Sequence, residues 1–194
     1  MTCVFRSYQF RPYNEARDRE TVPMLTRTSW NVVKYCAAAL VVVALGGVGH
    51  PASADSLAKA TAAYDRGDYA RAANLLTPLA LRGNAQAQAM LGFMYEHGFG
   101  EPQAYIAAVD LYRPAAISGD AFAQCMLGLM YDKGFGVDED FVLAYKWLNL
   151  AAAHASPRQR DYYRRLRDAV RSKMSNEQIA EGQRLALAWA PGRP

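Results

Sequence analysis

Apolar and polar positions along this chain recur on two scales. On the short scale they follow the three-to-four-residue period of an amphipathic helix. On the long scale, residues 84–119 (NAQAQAMLGFMYEHGFGEPQAYIAAVDLYRPAAISG) are nearly repeated by residues 120–155 (DAFAQCMLGLMYDKGFGVDEDFVLAYKWLNLAAAHA), at a fixed offset of 36 residues without a gap. Ala87/Ala123, Gln88/Gln124, Met90/Met126, Leu91/Leu127, Gly92/Gly128, Met94/Met130 and Tyr95/Tyr131 are identical pairs, and Gly98-Phe99-Gly100 returns as Gly134-Phe135-Gly136. Self-similarity at such a period is the signature of a solenoid of stacked supersecondary units. Each unit predicts two antiparallel helices. Helix A covers about 85–97 and 121–133, and helix B about 104–118 and 141–155. Ala87, Leu91, Met94 and Tyr95 share the apolar face of helix A. The first glycine of each Gly-Phe-Gly is expected to form a left-handed cap, and the second to let the chain reverse. Gly92 and Gly128, facing small Ala108, Ala115, Ala144 and Ala151, predict close approach of helix A to helix B.

Residues 55–83 form a weaker first unit. Leu75, Pro78, Ala80 and Gly83 match Leu111, Pro114, Ala116 and Gly119 at the same offset. Helices are expected over 56–66 and 69–82, joined by a tight Gly67-Asp68 turn. Pro78 and Pro114 fall inside predicted helices and are expected to kink them. After Ala155 the repeat stops. Ser156-Pro157-Arg158-Gln159 and Ser175-Asn176-Glu177-Gln178 each read as a capping box that starts a helix. These two helices, ending near Lys173 and Ala190, supply the terminal cap that a solenoid needs. Ile179, Gly182, Leu185, Ala186 and Trp189 line the apolar face of the last one.

The N-terminal region has a different pattern. Residues 1–23 are polar and Arg-rich without a helical period, as in a disordered leader or an upstream stretch before a true start at Met24. Residues 24–54 carry the parts of a secretory signal peptide: a basic segment, the uncharged run Tyr35–Val48, a helix-breaking Pro51 and the small-residue site Ala52-Ser53-Ala54. That apolar run is shorter than the roughly 20 residues a spanning helix needs. The expectation is therefore export, with cleavage after Ala54 and a secreted or periplasmic mature chain. An uncleaved inner-membrane anchor is the alternative.

Composition and charge refine this picture. The chain of 194 residues is 52% hydrophobic and 21% charged, which places it among globular rather than disordered proteins. Its net charge of +4 is uneven: residues 55–153 hold seven Lys/Arg against eleven Asp/Glu, and residues 154–194 hold nine against four. Of three cysteines, Cys3 and Cys36 belong to the leader, so Cys125 alone remains and no intrachain disulfide framework is expected.

The pattern Ala87…Leu91-Gly92…Tyr95…Gly98-Phe99-Gly100, then Ala108…Leu111-Tyr112…Ala115-Ala116, resembles the Sel-1-like repeat. So does its copy Ala123…Leu127-Gly128…Tyr131…Gly134-Phe135-Gly136 with Ala144…Trp147-Leu148…Ala151-Ala152. The first unit looks more like a tetratricopeptide repeat, a relative. The resemblance implies an all-α fold, a right-handed α-α superhelix of antiparallel helix pairs, acting as an adaptor or scaffold for protein complexes, often in bacterial envelopes. It implies no catalytic residues. Some secreted relatives carry a cysteine pair in each repeat and are linked to β-lactam binding. Cys125 stands alone in these repeats, so this chain departs from them.

Candidate functional positions are those on helix A that face away from the helix-pair core: Gln86, Phe93, Glu96, His97, Phe122, Leu129, Asp132 and Lys133. They are expected to line a groove for an extended peptide or a partner helix, unless the chain's own C-terminal helix fills it. A second candidate is the basic stripe Arg160, Arg164, Arg167 and Arg171, suited to an acidic partner or an anionic membrane surface, or simply solvated. Enzyme signals are weak. His50, His97 and His154 are isolated, Asp138-Glu139-Asp140 lacks the spacing of a calcium loop, and Gly98-Phe99-Gly100 lacks the remainder of a dinucleotide fingerprint. No catalytic residue, metal or cofactor is expected, and no nucleic acid partner. The reading is an exported helical-repeat adaptor that binds a protein or peptide in the bacterial cell envelope. Its alternatives are an envelope enzyme acting on cell wall or a β-lactam, and a membrane-tethered regulator.

Overall fold

The computed structural model describes residues 51–192. The expected leader up to His50, with Cys3, Cys36, the start at Met24 and the apolar run Tyr35–Val48, lies outside the described residues. Among the described residues there are eight helices and no strand: α1 (Pro51–Asp65), α2 (Tyr69–Leu81), α3 (Ala85–His97), α4 (Tyr105–Ile117), α5 (Ala121–Lys133), α6 (Phe141–His154), α7 (Pro157–Arg171) and α8 (Asn176–Leu187). From α1 to α7 each helix packs on the next, and α8 returns to pack on α6. This nearest-neighbour packing makes the molecule an all-α solenoid.

Local chemistry sets the helix ends. Asn84 and Asp120 accept hydrogen bonds from the backbone N–H groups of Ala87 and Ala123 at 2.9 and 2.8 Å, closing the first turns of α3 and α5. Gly98 and Gly134 take the left-handed conformation at the other ends, φ +69° and +68°, as the sequence predicts. The close approach of helix A to helix B is also observed. A Cβ on Gly92 would stand 2.9 Å from the Tyr112 ring, and one on Gly128 would stand 2.8 Å from Leu148 Cγ. Ala108, Ala115, Ala144 and Ala151 are fully buried at these contacts.

The Gly-Phe-Gly loops join units as well as helices. Phe99 stacks on Tyr69, the first residue of α2, with ring centroids 4.7 Å apart, and Phe135 stacks on Tyr105, the first residue of α4, at 4.7 Å. Gln88 and Gln124 add a second staple. Their side-chain N–H groups donate to the Ala80 and Ala116 carbonyls of the preceding helix, both at 3.0 Å. Satisfying buried amides across each junction fixes the stacking register in a way that apolar contact alone does not.

Some helix ends differ from expectation, although α2 and α4 contain Pro78 and Pro114 within their length as the sequence predicts. The carbonyls that lose a partner belong to Asn74 and Asp110, both exposed, where water can replace the missing N–H. The box at Ser156 does not form: its hydroxyl donates to the Gln159 side chain at 2.8 Å and makes no backbone cap. The box at Ser175 does form. Finally, α7 and α8 end early, at Arg171 and Leu187. Lys173 thereby leaves the helix to reach Asp132, and the tail turns back so that Gly192 N–H donates to Ile117 O at 2.8 Å.

Candidate functional site

The helix period puts Phe93 and His97 one turn apart on α3, and the αL cap at Gly98 swings Phe99 back beside them. Phe93 and His97 stack at 4.0 Å, His97 and Phe99 at 5.5 Å, and Phe93 and Phe99 lie 6.1 Å apart. The array extends both ways. Phe99 meets Tyr69 and Tyr64 on one side. Phe93 meets Phe122 at 5.9 Å on the other, and Phe122 meets Tyr112 at 6.3 Å. Seven rings from five helices and one loop thus form a continuous ladder. Its outer members differ in exposure: His97 is exposed, Phe93, Phe99, Tyr64 and Tyr69 are half-buried, and Phe122 and Tyr112 are closed off. His97 is held by its Nδ1, which donates to the Phe93 carbonyl at 3.0 Å.

Glu96 sits under this ladder. Its carboxylate accepts a hydrogen bond from the Tyr112 hydroxyl at 2.7 Å. Burial raises its pKa above the ordinary carboxylate range, while the Tyr112 hydrogen bond and the nearby His97 oppose that shift. The counterpart of Tyr112 is Leu148, which has no hydroxyl to offer the matching acid, Asp132, so that acid takes another partner. Lys173 Nζ donates to it at 2.8 Å, with Lys133 at 3.6 Å. Lys173 also lies 5.3 Å from the Phe141 ring centre. Phe141 is the 36-residue counterpart of Tyr105, so its ring has an ammonium where Tyr105 has Phe135.

The eight groove positions therefore divide. Phe93, Glu96 and His97 gather into one patch with Phe122 at its floor. Gln86 and Leu129 are half-buried and Lys133 is exposed. Phe122 and Asp132 are buried, at 5% and 6% exposure, so an incoming partner would meet neither directly. The basic stripe divides as well, because it runs along the edge of the buried face of α7. Arg160 donates to the Ala155 carbonyl at 3.4 Å and Arg167 to Asn149 at 3.3 Å, both toward α6. Arg164 pairs with Asp161 at 3.6 Å and, like Arg171, is exposed.

Sequence reasoning missed Tyr64, Tyr69, Phe99 and Tyr112 as site residues. The pairing of Tyr69 with Phe99 was detectable, since Tyr105 and Phe135 stand in the same relation one unit later. Cys125 is fully buried, and burial, with the Glu96 charge nearby, pushes its thiol pKa far above the usual range. Among the described residues no group of three or more His, Cys, Asp or Glu is placed to hold a metal ion, and no helix is long and apolar enough to cross a membrane.

The comparisons with known proteins agree with the repeat fold. No curated protein matches the chain. Among solved structures, it is similar to a protective antigen of uropathogenic Escherichia coli with an SLR fold: TM-score 0.65, 22% identity, over 71% of this chain and 29% of that one. The chain thus spans under a third of that protein, and the likeness concerns the fold alone. A Sel1 repeat protein from Oxalobacter formigenes matches with TM-score 0.50 and 32% identity, over 58% of this chain and 87% of that one. The family model described as Sel1 repeat matches residues 85–120 and again 121–156, one residue out of step with the repeats read from the sequence. With both of its Gly-Phe-Gly units matched and the Oxalobacter protein similar over most of its length, the chain belongs to the Sel1 repeat family.

Proposed function

We propose that this protein is an exported adaptor that docks a protein or peptide partner in the bacterial cell envelope through the aromatic face of α3. The coarser statement stands on the fold: this is a Sel1-repeat helical scaffold, of a kind that generally mediates protein–protein interaction. The observation that carries the finer reading is the exposed edge of the ring ladder. Phe93, His97 and Phe99 present stacked faces beside the half-buried Glu96, and rigid aromatic rings on a fixed scaffold are what interface anchors are made of. Docking there covers apolar area without first ordering the rings, because stacking and the His97–Phe93 hydrogen bond already hold them. Export rests on the leader pattern of residues 24–54. An anionic membrane surface would meet only the exposed members of the basic stripe, Arg164 and Arg171.

The test is a pull-down from envelope extract with the wild type and a Phe93→Ala/His97→Ala variant. Phe122 is left in place because it is buried. The variant is expected to keep its helical circular dichroism and to recover at least tenfold less partner. Equal recovery would reject the α3 face.

A further inference from the structure

The C-terminal tail occupies a seat that the repeat builds twice. At the junction of α4 with α5, Gly119 (φ +93°) turns the chain, its N–H donates to Ala116 O at 3.0 Å, and Asp120 N–H donates to Ala115 O at 3.1 Å. Gln124 ties the same Ala116 carbonyl from α5. The tail lies on this turn. The Trp189 ring comes within 3.6 Å of where a Cβ on Gly119 would stand, Trp189 packs 4.9 Å from His154, and Gly192 N–H donates to Ile117 O. His154 in turn donates from Nδ1 to Gln124 Oε1 at 2.9 Å.

Thirty-six residues earlier, the junction of α2 with α3 has the same construction. Gly83 (φ +80°) turns the chain, its N–H donates to Ala80 O at 3.0 Å, Asn84 N–H donates to Leu79 O at 3.1 Å, and Gln88 ties Ala80 from α3. Nothing lies on it. A Cβ on Gly83 would meet no atom within 4 Å, and Leu81 is 80% exposed where its counterpart Ile117 is half-buried beneath the tail. One substitution also changes what the seat offers. The counterpart of His154 is Ser118, whose hydroxyl donates to Pro114 O at 3.0 Å within its own helix. Gln88 Oε1 therefore has no imidazole against it. In the filled seat His154 takes the equivalent oxygen, and the buried Trp189 Nε1 has no hydrogen-bond partner among the described residues.

We propose that the Leu81–Gly83 edge is a docking seat for an extended segment of a partner protein that carries a tryptophan between small residues, the place Trp189 fills one repeat further on. The tail itself is the template for the ligand: Leu187-Ala-Trp-Ala-Pro-Gly192 shows what this turn accepts. In the open seat an indole N–H has Gln88 Oε1 as its acceptor, so the segment gains a bond that Trp189 lacks. Leu81 supplies the apolar contact, and Arg82 at the rim, where the filled seat has Ser118, favours an acidic flank on the partner. A second copy of this chain is a weaker occupant, because its own tail is held in place intramolecularly. This seat shares no residue with the aromatic face of α3.

The test uses the full chain and a fluorescein-labelled hexapeptide, Leu-Ala-Trp-Ala-Pro-Gly. Anisotropy is expected to rise to saturation at one peptide per chain. Leu81→Glu is expected to weaken binding at least tenfold, and Ile106→Glu, at an exposed apolar residue outside the seat, to leave it unchanged. A peptide with alanine for tryptophan is expected not to bind. Failure to saturate, an unchanged Leu81→Glu affinity, or equal binding of the alanine peptide would overturn the proposal. Concentration-dependent dimerisation abolished by Leu81→Glu would also overturn it, by assigning the seat to the tail of a second copy.

Discussion

At the scale of single residues, glycine positions separate two effects that usually arrive together. Gly67 and Gly136 both hold positive φ, +78° and +71°. Around Gly67 a Cβ would meet nothing within 4 Å. Around Gly136 it would stand 2.6 Å from the carbonyl carbon and oxygen of Tyr105 and 2.8 Å from Ile106 N. These are backbone atoms at the start of α4, so relief requires the loop to back away and carry Phe135 off Tyr105. Gly67→Ala is expected to lose about 1–2 kcal/mol, the left-handed penalty alone. Gly136→Ala is expected to lose about 2–5 kcal/mol, because overpacking adds about 1–3. Urea unfolding of the two variants checks this. Equal losses would mean that the loop-to-helix contact does not hold the units together.

At the scale of elements, the question is how the array ends. In register, α7 is the first helix of a fourth unit: its N-cap Ser156 follows Asn84 and Asp120 at the same spacing. Its sequence has lost the packing glycine, replaced by Arg164, and the Gly-Phe-Gly, replaced by Val170-Arg171-Ser172. Lys173 covers Phe141 in place of the missing loop, and it also pairs with Asp132, which lacks the tyrosine hydroxyl that Glu96 has. Lys173→Ala is expected to cost about 1–2 kcal/mol: removing one partner of a buried acid is expensive, but Lys173 is 41% exposed and water screens part of the loss. A double-mutant cycle with Asp132→Asn measures the coupling, expected at about 0.5–1.5 kcal/mol in urea unfolding. Additive losses would assign the role of Lys173 to the Phe141 ring alone. This element also marks where the sequence stops being legible. The limits of α2 to α6, the αL caps and the facing glycines and alanines were readable because they follow from short-range periodicity and turn chemistry. The closure of Asp132 was not, because its partner lies 41 residues away. Helical period says which side of α5 a residue faces, and not what will later be laid over it. Phe122 is another case: its neighbours Phe93 and Tyr112 come from two other helices, so its burial depends on the stacking of units. The ladder as a whole was half legible, with Phe93 and His97 read from α3 and Phe99 hidden in a loop motif that first reads as a turn.

At the scale of the whole molecule, packing between neighbours leaves α1 with α2 as its main support. That bears on export, because the proposed cleavage after Ala54 falls inside α1. The residues of α1 that enter the core lie beyond that point: Ala60 and Ala63 are fully buried, and Leu57 and Tyr64 pack against the same cluster. A chain beginning at Asp55 therefore keeps every one of these contacts. It also keeps the Asp55–Lys59 pair, which places an acid at the new helix start, where the helix dipole favours it. Removing the first four residues of α1 should leave stability within about 0.5 kcal/mol of the uncut chain, because the core contacts of Leu57, Ala60, Ala63 and Tyr64 are all kept. The checking measurement is the intact mass of the protein recovered from the envelope fraction. It is expected to equal that of a chain running from Asp55 to Pro194. A mass that still includes Tyr35–Val48 would overturn the exported adaptor and leave the same scaffold held at the membrane by its leader.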